Sequence, residues 1–289
     1  MSLRLSCEDI VFSEFGNLEP AQESWREEAD YWEDFNRRFF ASNGRSYGPQ
    51  DSNVAAWLGA PDRAPYAEMA RLLLPRLQER LGPLDDIDFV LFAHWLPDLH
   101  LGTSVTNFAL HHLGLEGAFG FALSDRGRSA PLFALNCIDR YLQGPRRKAL
   151  LMVMDQKHLL YRSELLERLD PVNCGAAMVL ERDGARGKAL RDYRRTAGVG
   201  IAGAGEVLAG LMRSWGCSAQ GTTLIADPEL LEQLRYTGPC LPNAARQLCA
   251  APFAQLASGA ARGDVVIAIH EQDCLSTIWL SAEETRAAA

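Results

Sequence analysis

Three short runs, Phe89-Val90-Leu91-Phe92-Ala93, Ala118-Phe119-Gly120-Phe121-Ala122-Leu123 and Ala149-Leu150-Leu151-Met152-Val153-Met154, contain no polar side chain. A strand with one wet face alternates polar and apolar residues. These do not, so they read as strands covered on both faces. Helical patterns separate them. From Pro65 to Leu81, Met69, Leu72, Leu73, Leu77 and Leu81 recur at helical spacing, and Gly82-Pro83 ends the run. A second helix is expected from Ser104 to Leu113, stopped by Gly114, and a third from Ala130 to Leu142. Helices alternating with buried strands predict a parallel sheet with right-handed crossovers and helices on both faces.

The second half repeats the theme. Strands are expected at Cys174–Glu181 and Thr222–Ala226, and closing strands at Val265–Ile269 and Ser276–Leu280. Helices are expected at Ala204–Trp215, at Pro228–Leu234 with Asp227 as N-cap, and at Ala244–Ser258. The strand–loop–helix at Phe89–Leu113 rhymes with Leu224–Leu234, and the turn before Ala149 rhymes with Gly263-Asp264 before Val265. The pattern suggests two copies of one α/β unit around a pseudo-two-fold axis, divided as 1–165 and 166–289. Residues 3–13 read as an opening strand region with a turn inside it. Trp25, Trp32, Phe35 and Phe39 suit one helix face, expected to pack into the core, with a pocket cover or subunit contact as the alternative. The alanine-rich end reads as a frayed tail.

A hydrophobic share of 47% and a charged share of 23% over 289 residues allow a large core in one large or two medium domains. The net charge of -8 argues against nucleic acid or an anionic membrane as a principal partner. Docking of an acidic carrier protein then needs a local basic patch, for which Gly144-Pro145-Arg146-Arg147-Lys148 is the candidate; a solvated turn is the alternative. No leader-like or membrane-length apolar run is present. Seven scattered cysteines, none in a Cys-x-x-Cys pair, fit reduced thiols in a cytoplasmic protein without structural zinc. No strand is followed by a Gly-x-Gly-x-x-Gly or P-loop pattern, and no His/Asp/Glu spacing suggests a metal.

In order and local pattern, residues 65–181 and 222–281 resemble the ketosynthase III branch of the thiolase superfamily. Asp88-Phe89-Val90-Leu91-Phe92-Ala93-His94-Trp95-Leu96-Pro97-Asp98 resembles the family's strand and its Thr-Pro-Asp-type loop. Ala118 through Gly127 resembles the strand and nucleophile elbow, Pro171 through Glu181 the Gly/Ala-rich strand entry, and Gly263-Asp264-Val265-Val266-Ile267 the last crossover. The resemblance implies the α/β, thiolase-like duplicated α/β/α/β/α five-layer fold. It also implies an acyl-CoA or phosphopantetheine thioester as substrate, no bound cofactor, and a dimer.

The catalytic cysteine, histidine and asparagine of that family do not carry over. With Gly127 as the glycine after the nucleophile, the nucleophile position is Asp125; a one-residue slip puts Ser124 there. The strand-to-helix loop that holds the family's histidine reads Leu224-Ile225-Ala226-Asp227-Pro228-Glu229. Asn243 is a remnant of the asparagine turn, and His270 falls on the last crossover, at the family's glycine-rich turn. Decarboxylative condensation needs a thiolate to hold the acyl group and neutral donors to stabilise the enolate. Two expectations follow. One is an auxiliary, non-condensing protein of fatty or specialised metabolite biosynthesis, homodimeric or paired with an active ketosynthase. The other is an acyltransferase moving an acyl group from a coenzyme A or carrier-protein thioester to an alcohol or amine through Ser124 or Asp125. Candidate binding residues are His94, Trp95, Arg126, Asp227, Asn243 and His270.

Overall fold

The computed structural model describes residues 2–282; the expected frayed tail lies outside them. The chain opens with β1 (Leu3–Leu5) and β2 (Val11–Phe15), then α1 (Ala29–Ser42) and α2 (Val54–Leu58). α3 (Tyr66–Leu81) leads to β3 (Phe89–Ala93), α4 (Val105–His112), β4 (Phe119–Leu123), α5 (Ala130–Tyr141) and β5 (Lys148–Asp155). A short α6 (Glu164–Leu169) and β6 (Asn173–Arg182) follow. Next come β7 (Lys188–Ala197), α7 (Ile201–Ser214), β8 (Thr222–Ala226), α8 (Pro228–Gln233) and β9 (Cys240–Pro242). α9 (Ala251–Ala257), β10 (Asp264–Glu271) and β11 (Cys274–Ser281) complete the order.

Among the described residues the strands run β4-β3-β5-β6-β1-β7-β11-β10-β8-β9, with β2 also on β6. The pairing repeats itself. β4, β3 and β5 are parallel neighbours, β6 is antiparallel to β5, and β2 is antiparallel to β6. β9, β8 and β10 are likewise parallel, β11 is antiparallel to β10, and β7 is antiparallel to β11. β1 joins the two sets by pairing antiparallel with β6 and β7. The expected division at 165/166 falls inside α6, whereas the pairing repeat closes at β6.

The apolar strands explain the layers. Side chains alternate between faces with period two. Phe89, Leu91 and Ala93 of β3 and Val265, Ile267 and Ile269 of β10 enter one central core with α5 and α9. Val90 and Phe92 turn the other way, onto α3 and α4, and Val266 and Ala268 turn onto α7 and α8. The result is α/β/α/β/α layering with α5 and α9 sandwiched in the middle.

Several local expectations need correction. The helix expected over Ala244–Ser258 is broken: tight turns cover Ala245–Ala250, Leu248 takes φ 42°, and regular helix starts at Ala251 with Pro252 in its first turn. Asp227 begins α8 but its carboxylate makes no capping bond, because Arg128 and Asn243 hold it. β7 was not anticipated: half of its residues are charged, and most of those face solvent. In the aromatic segment, Trp25 and Trp32 pack with Trp57, but Phe35 and Phe39 stay 37% and 43% exposed, since buried Asn36 takes the inward position. Arg63 is sandwiched between Trp25 and Trp57, with its guanidinium 4.5 and 5.0 Å from the ring centres. The basic turn before β5 is tied to acids: Lys148 meets Asp86 and Glu181, and Arg147 meets Asp183.

Candidate functional site

The carboxyl ends of the parallel strands from both halves open onto one cleft of about 1070 Å³. Trp95 follows β3, the segment Ser124–Ser129 follows β4, Asp227 follows β8, and His270 and Glu271 end β10. The basic turn at Arg146–Lys148 sits at the opposite end of β5.

The entry to α5 is organised by a carboxylate from the other half. Glu271 accepts the backbone N–H groups of Arg128 and Ser129, each at 3.0 Å. An anion at a helix N-terminus is favoured by the unpaired N–H groups and the helix dipole. Gly127 is required there: its φ is 55°, and a Cβ would stand 2.6 Å from Glu271 Oε2. The Arg128 guanidinium reaches Asp227 Oδ2 at 3.0 Å, Glu271 Oε2 at 3.8 Å and the His270 carbonyl at 3.2 Å. Asn243 donates to Asp227 Oδ1 at 3.2 Å. The cleft floor is therefore an ion-paired cluster that bridges the two halves.

Beneath it lies Asp155, fully buried at the end of β5. Oδ1 accepts the N–H groups of Trp95 and Leu96, each at 2.9 Å, and Oδ2 accepts that of Cys249 at 3.0 Å. Burial pushes the Asp155 carboxyl up, against the pull of these donors. One side chain thus ties the loop after β3 to the kink at Leu248. Burial, with Asp155 beside it, pushes the Cys249 thiol well up, and burial does the same to Cys174. Neither is a thiolate at neutral pH, so neither is a ready nucleophile. Cys174 and Cys249 are both buried and in no disulfide.

Asp125 projects with 69% of its side chain exposed, and Arg126 Nε stands 3.5 Å from its Oδ2. The Arg126 guanidinium lies 4.5 Å from the Phe133 ring centre. Arg246 pairs with Asp170 at 2.9 Å. Arg168 and Arg195 also line the cleft.

Solved structures resemble the whole chain. A tetronic acid condensing enzyme, AbyA1, matches with a TM-score of 0.67 and 15% identity, covering 97% of this chain and all of that one. The fold is thiolase-like. The 3-oxoacyl-(acyl carrier protein) synthase III, FabH, of Pseudomonas aeruginosa matches with a TM-score of 0.65 at 14% identity, over 98% of this chain and 99% of that one. OleA of Xanthomonas campestris, in a structure with bound lauric acid and lauroyl-CoA, matches with a TM-score of 0.66 at 11% identity, over 97% and 99%. No protein-family model and no curated protein matches.

Within the thiolase-like frame, Trp95, Ser124, Asp125, Arg126, Asp227 and His270 come together on the cleft. His94 and Asn243 do not line it. His94 stacks on Phe92 at 4.7 Å, and its Nδ1 lies 2.6 Å from the Leu96 carbonyl; it is built into the packing under the loop. Asn243 is buried behind Asp227. His270 Nε2 is 2.6 Å from the Val199 carbonyl. Sequence reasoning missed Arg128, Glu271 and Asp155. A polar residue directly after the apolar run 149–154 was a readable signal for Asp155. Nothing local marks Arg128 and Glu271 as partners, because they lie 143 positions apart. No group of three or more acidic, histidine or cysteine residues among those described is arranged to hold a metal ion. No described helix is long and apolar enough to cross a membrane.

Proposed function

We propose that this chain is a ketosynthase III-like protein that binds acyl thioesters of coenzyme A or an acyl carrier protein without performing decarboxylative condensation. The observation that carries this reading is the charged cleft floor. No cysteine stands on the β4–α5 loop, where the resemblance puts the nucleophile. The resemblance puts Asp125, or with a one-residue slip Ser124, at that position; Asp227 stands at the entry to α8 locked to Arg128, and Glu271 fills the anion seat at the start of α5. With Asp227 and Glu271 committed to Arg128 and an acid on the β4–α5 loop, these positions offer no neutral donor for the enolate or oxyanion charge that condensation builds up.

An auxiliary role with a dimeric partner, either a second copy or an active ketosynthase, is supported by the sheet edge. β4 ends the sheet with five residues that carry no charge, and Phe119 and nearby Tyr141 are 37% and 41% exposed. An apolar edge strand is a template for pairing with another chain. The opposite edge, β9, has three residues and ends in Pro242. Reduced thiols support a cytoplasmic setting, and fatty or specialised metabolite biosynthesis is the context the fold suggests.

The second reading, acyl transfer to an alcohol or amine, draws on the exposure of Ser124 and Asp125 in the cleft. Among the described residues, no side chain hydrogen-bonds Ser124, so it lacks the base that activates a serine. Asp125 is the better placed of the two, as a base for an acceptor. Intact-protein mass after incubation with acyl-CoA and acyl-carrier thioesters separates the readings. The auxiliary reading expects no covalent adduct and no thioester consumption. An adduct lost only in Ser124→Ala or only in Asp125→Ala would overturn it and name the nucleophile.

A further inference from the structure

Among the described residues five arginines line the cleft, and the chain pairs two of them: Arg128 with Asp227 and Glu271, and Arg246 with Asp170. Of the other three, Arg168 is on α6, whereas Arg126 precedes α5 and Arg195 is on β7. Arg195, on β7, lines the cleft, and no hydrogen bond or ion pair reaches its side chain among the described residues. Arg126 keeps a buried Nε with no hydrogen-bond partner; its 3.5 Å contact to Asp125 is an ion-pair distance to a largely solvated carboxylate. Stacking on Phe133 holds the Arg126 guanidinium in place instead.

The same ring links Arg126 to the strand that carries Arg195. Phe133 of α5 packs on Tyr193 of β7, with ring centres 6.1 Å apart. Tyr193 and Arg195 are two residues apart on a strand and so share a face. The Tyr193 hydroxyl is buried, with Ser276 as the polar side chain beside it. Burial pushes the Tyr193 phenol up, while the Ser276 hydrogen bond and the charges of Arg126 and Arg195 pull the other way. In a protein of net charge -8, an Arg195 without an ion pair and an Arg126 whose buried Nε has no hydrogen-bond partner leave this wall short of an acceptor that the chain does not supply.

The geometry points to a carboxylate-binding subsite formed by Arg126 and Arg195, which selects acyl groups that carry a second, free carboxylate. This rests on the acyl-thioester reading and narrows it to dicarboxylic half-thioesters. Arg126 directly follows Asp125, where the resemblance puts the reacting carbonyl. The phosphate of a pantetheine carrier stands a whole pantetheine arm away from that carbonyl, so an anion seated here belongs to the acyl part. Guanidinium groups bind carboxylates in paired hydrogen bonds, which a neutral alkyl chain forfeits.

Calorimetric titration of the full chain with succinyl-pantetheine and butyryl-pantetheine tests the subsite. The succinyl probe is expected to bind about tenfold or more tightly than the butyryl probe, as charge-assisted hydrogen bonds in a partly shielded cleft allow. That preference should collapse in Arg126→Gln and in Arg195→Gln and persist in Arg38→Gln, an exposed arginine of α1 that does not line the cleft. Thermal melts of the three variants control for folding. Equal binding of the two probes, or a preference that survives in both Arg126→Gln and Arg195→Gln, would overturn the subsite. Monomethyl succinate separates the two claims. If it binds and Arg195→Gln abolishes that binding while neither thioester binds, the acyl-thioester reading fails and the carboxylate site stands.

Discussion

Replacing Asp155 tests how the cleft is held. Its carboxylate accepts three buried N–H groups, from Trp95, Leu96 and Cys249. Asp155→Ala leaves all three without an acceptor, at about 1–3 kcal/mol for each unpaired buried donor. Partial relaxation brings the expected loss to about 3–5 kcal/mol. For a chain of 289 residues this is a melting temperature about 5–8 °C lower. Asp155→Asn separates acceptor from charge. Its oxygen can keep the two bonds at 2.9 Å from Trp95 and Leu96, while its amide group meets the N–H of Cys249. Because burial already pushes the Asp155 carboxyl up, losing the charge is not itself the damage. The Asn variant should therefore lose less than half of what the Ala variant loses. Differential scanning calorimetry at neutral pH, with denaturant titration as a second measure, reads both. An Asn variant as damaged as the Ala variant would refute the acceptor argument. An Ala variant as stable as the parent would refute the anchoring role altogether.

Other outcomes follow from the same geometry. Arg63→Ala should cost about 3–5 kcal/mol in denaturant titration, because it leaves Glu19 without its buried partner and opens the space between Trp25 and Trp57. Burial holds the His158 imidazole below its usual value of 6.5, even with Asp62 beside it. The folded state then binds fewer protons than the unfolded chain just below pH 6.5, so stability should fall as pH drops through that window. His158→Gln should flatten that slope in melts taken at successive pH values. If the proposed partner on the β4 edge is a second copy, the parent should sediment as a dimer and Phe119→Asp as a monomer in analytical ultracentrifugation, with the melting curve of the monomer still cooperative.

The first half of the fold was readable because β3, β4 and the centre of β5 (149–154) are short apolar runs separated by helical patterns and by turn residues such as Gly82-Pro83, Gly114 and Gly144-Pro145. Thr222–Ala226 was read with its correct ends because Gly221 and Asp227-Pro228 bound it. β7 escaped because its pairing to β11 fixes a strand that its charged composition does not announce. The helix after Asn243 was overextended because nothing in Arg246-Gln247-Leu248-Cys249 signals that Asp155 captures the Cys249 N–H and holds a left-handed residue before it. In the cleft, Asp125, Arg126 and Asp227 were legible from the order of strands and loops. Glu271 and Arg128 were not, since their bond joins two halves of a duplicated fold. His94 was the opposite case: a histidine after a buried strand drew attention, but its ring is absorbed by packing on Phe92 and Tyr66.

In the proposed function the cleft holds acyl thioesters and does not condense them. Incubating the protein with an acyl-CoA and a malonyl-carrier thioester, while following carbon dioxide release alongside equilibrium binding of the acyl thioester, addresses both parts at once. The account predicts saturable binding with no carbon dioxide above the enzyme-free control. Carbon dioxide release at catalytic turnover, with a ketoacyl product, would contradict it.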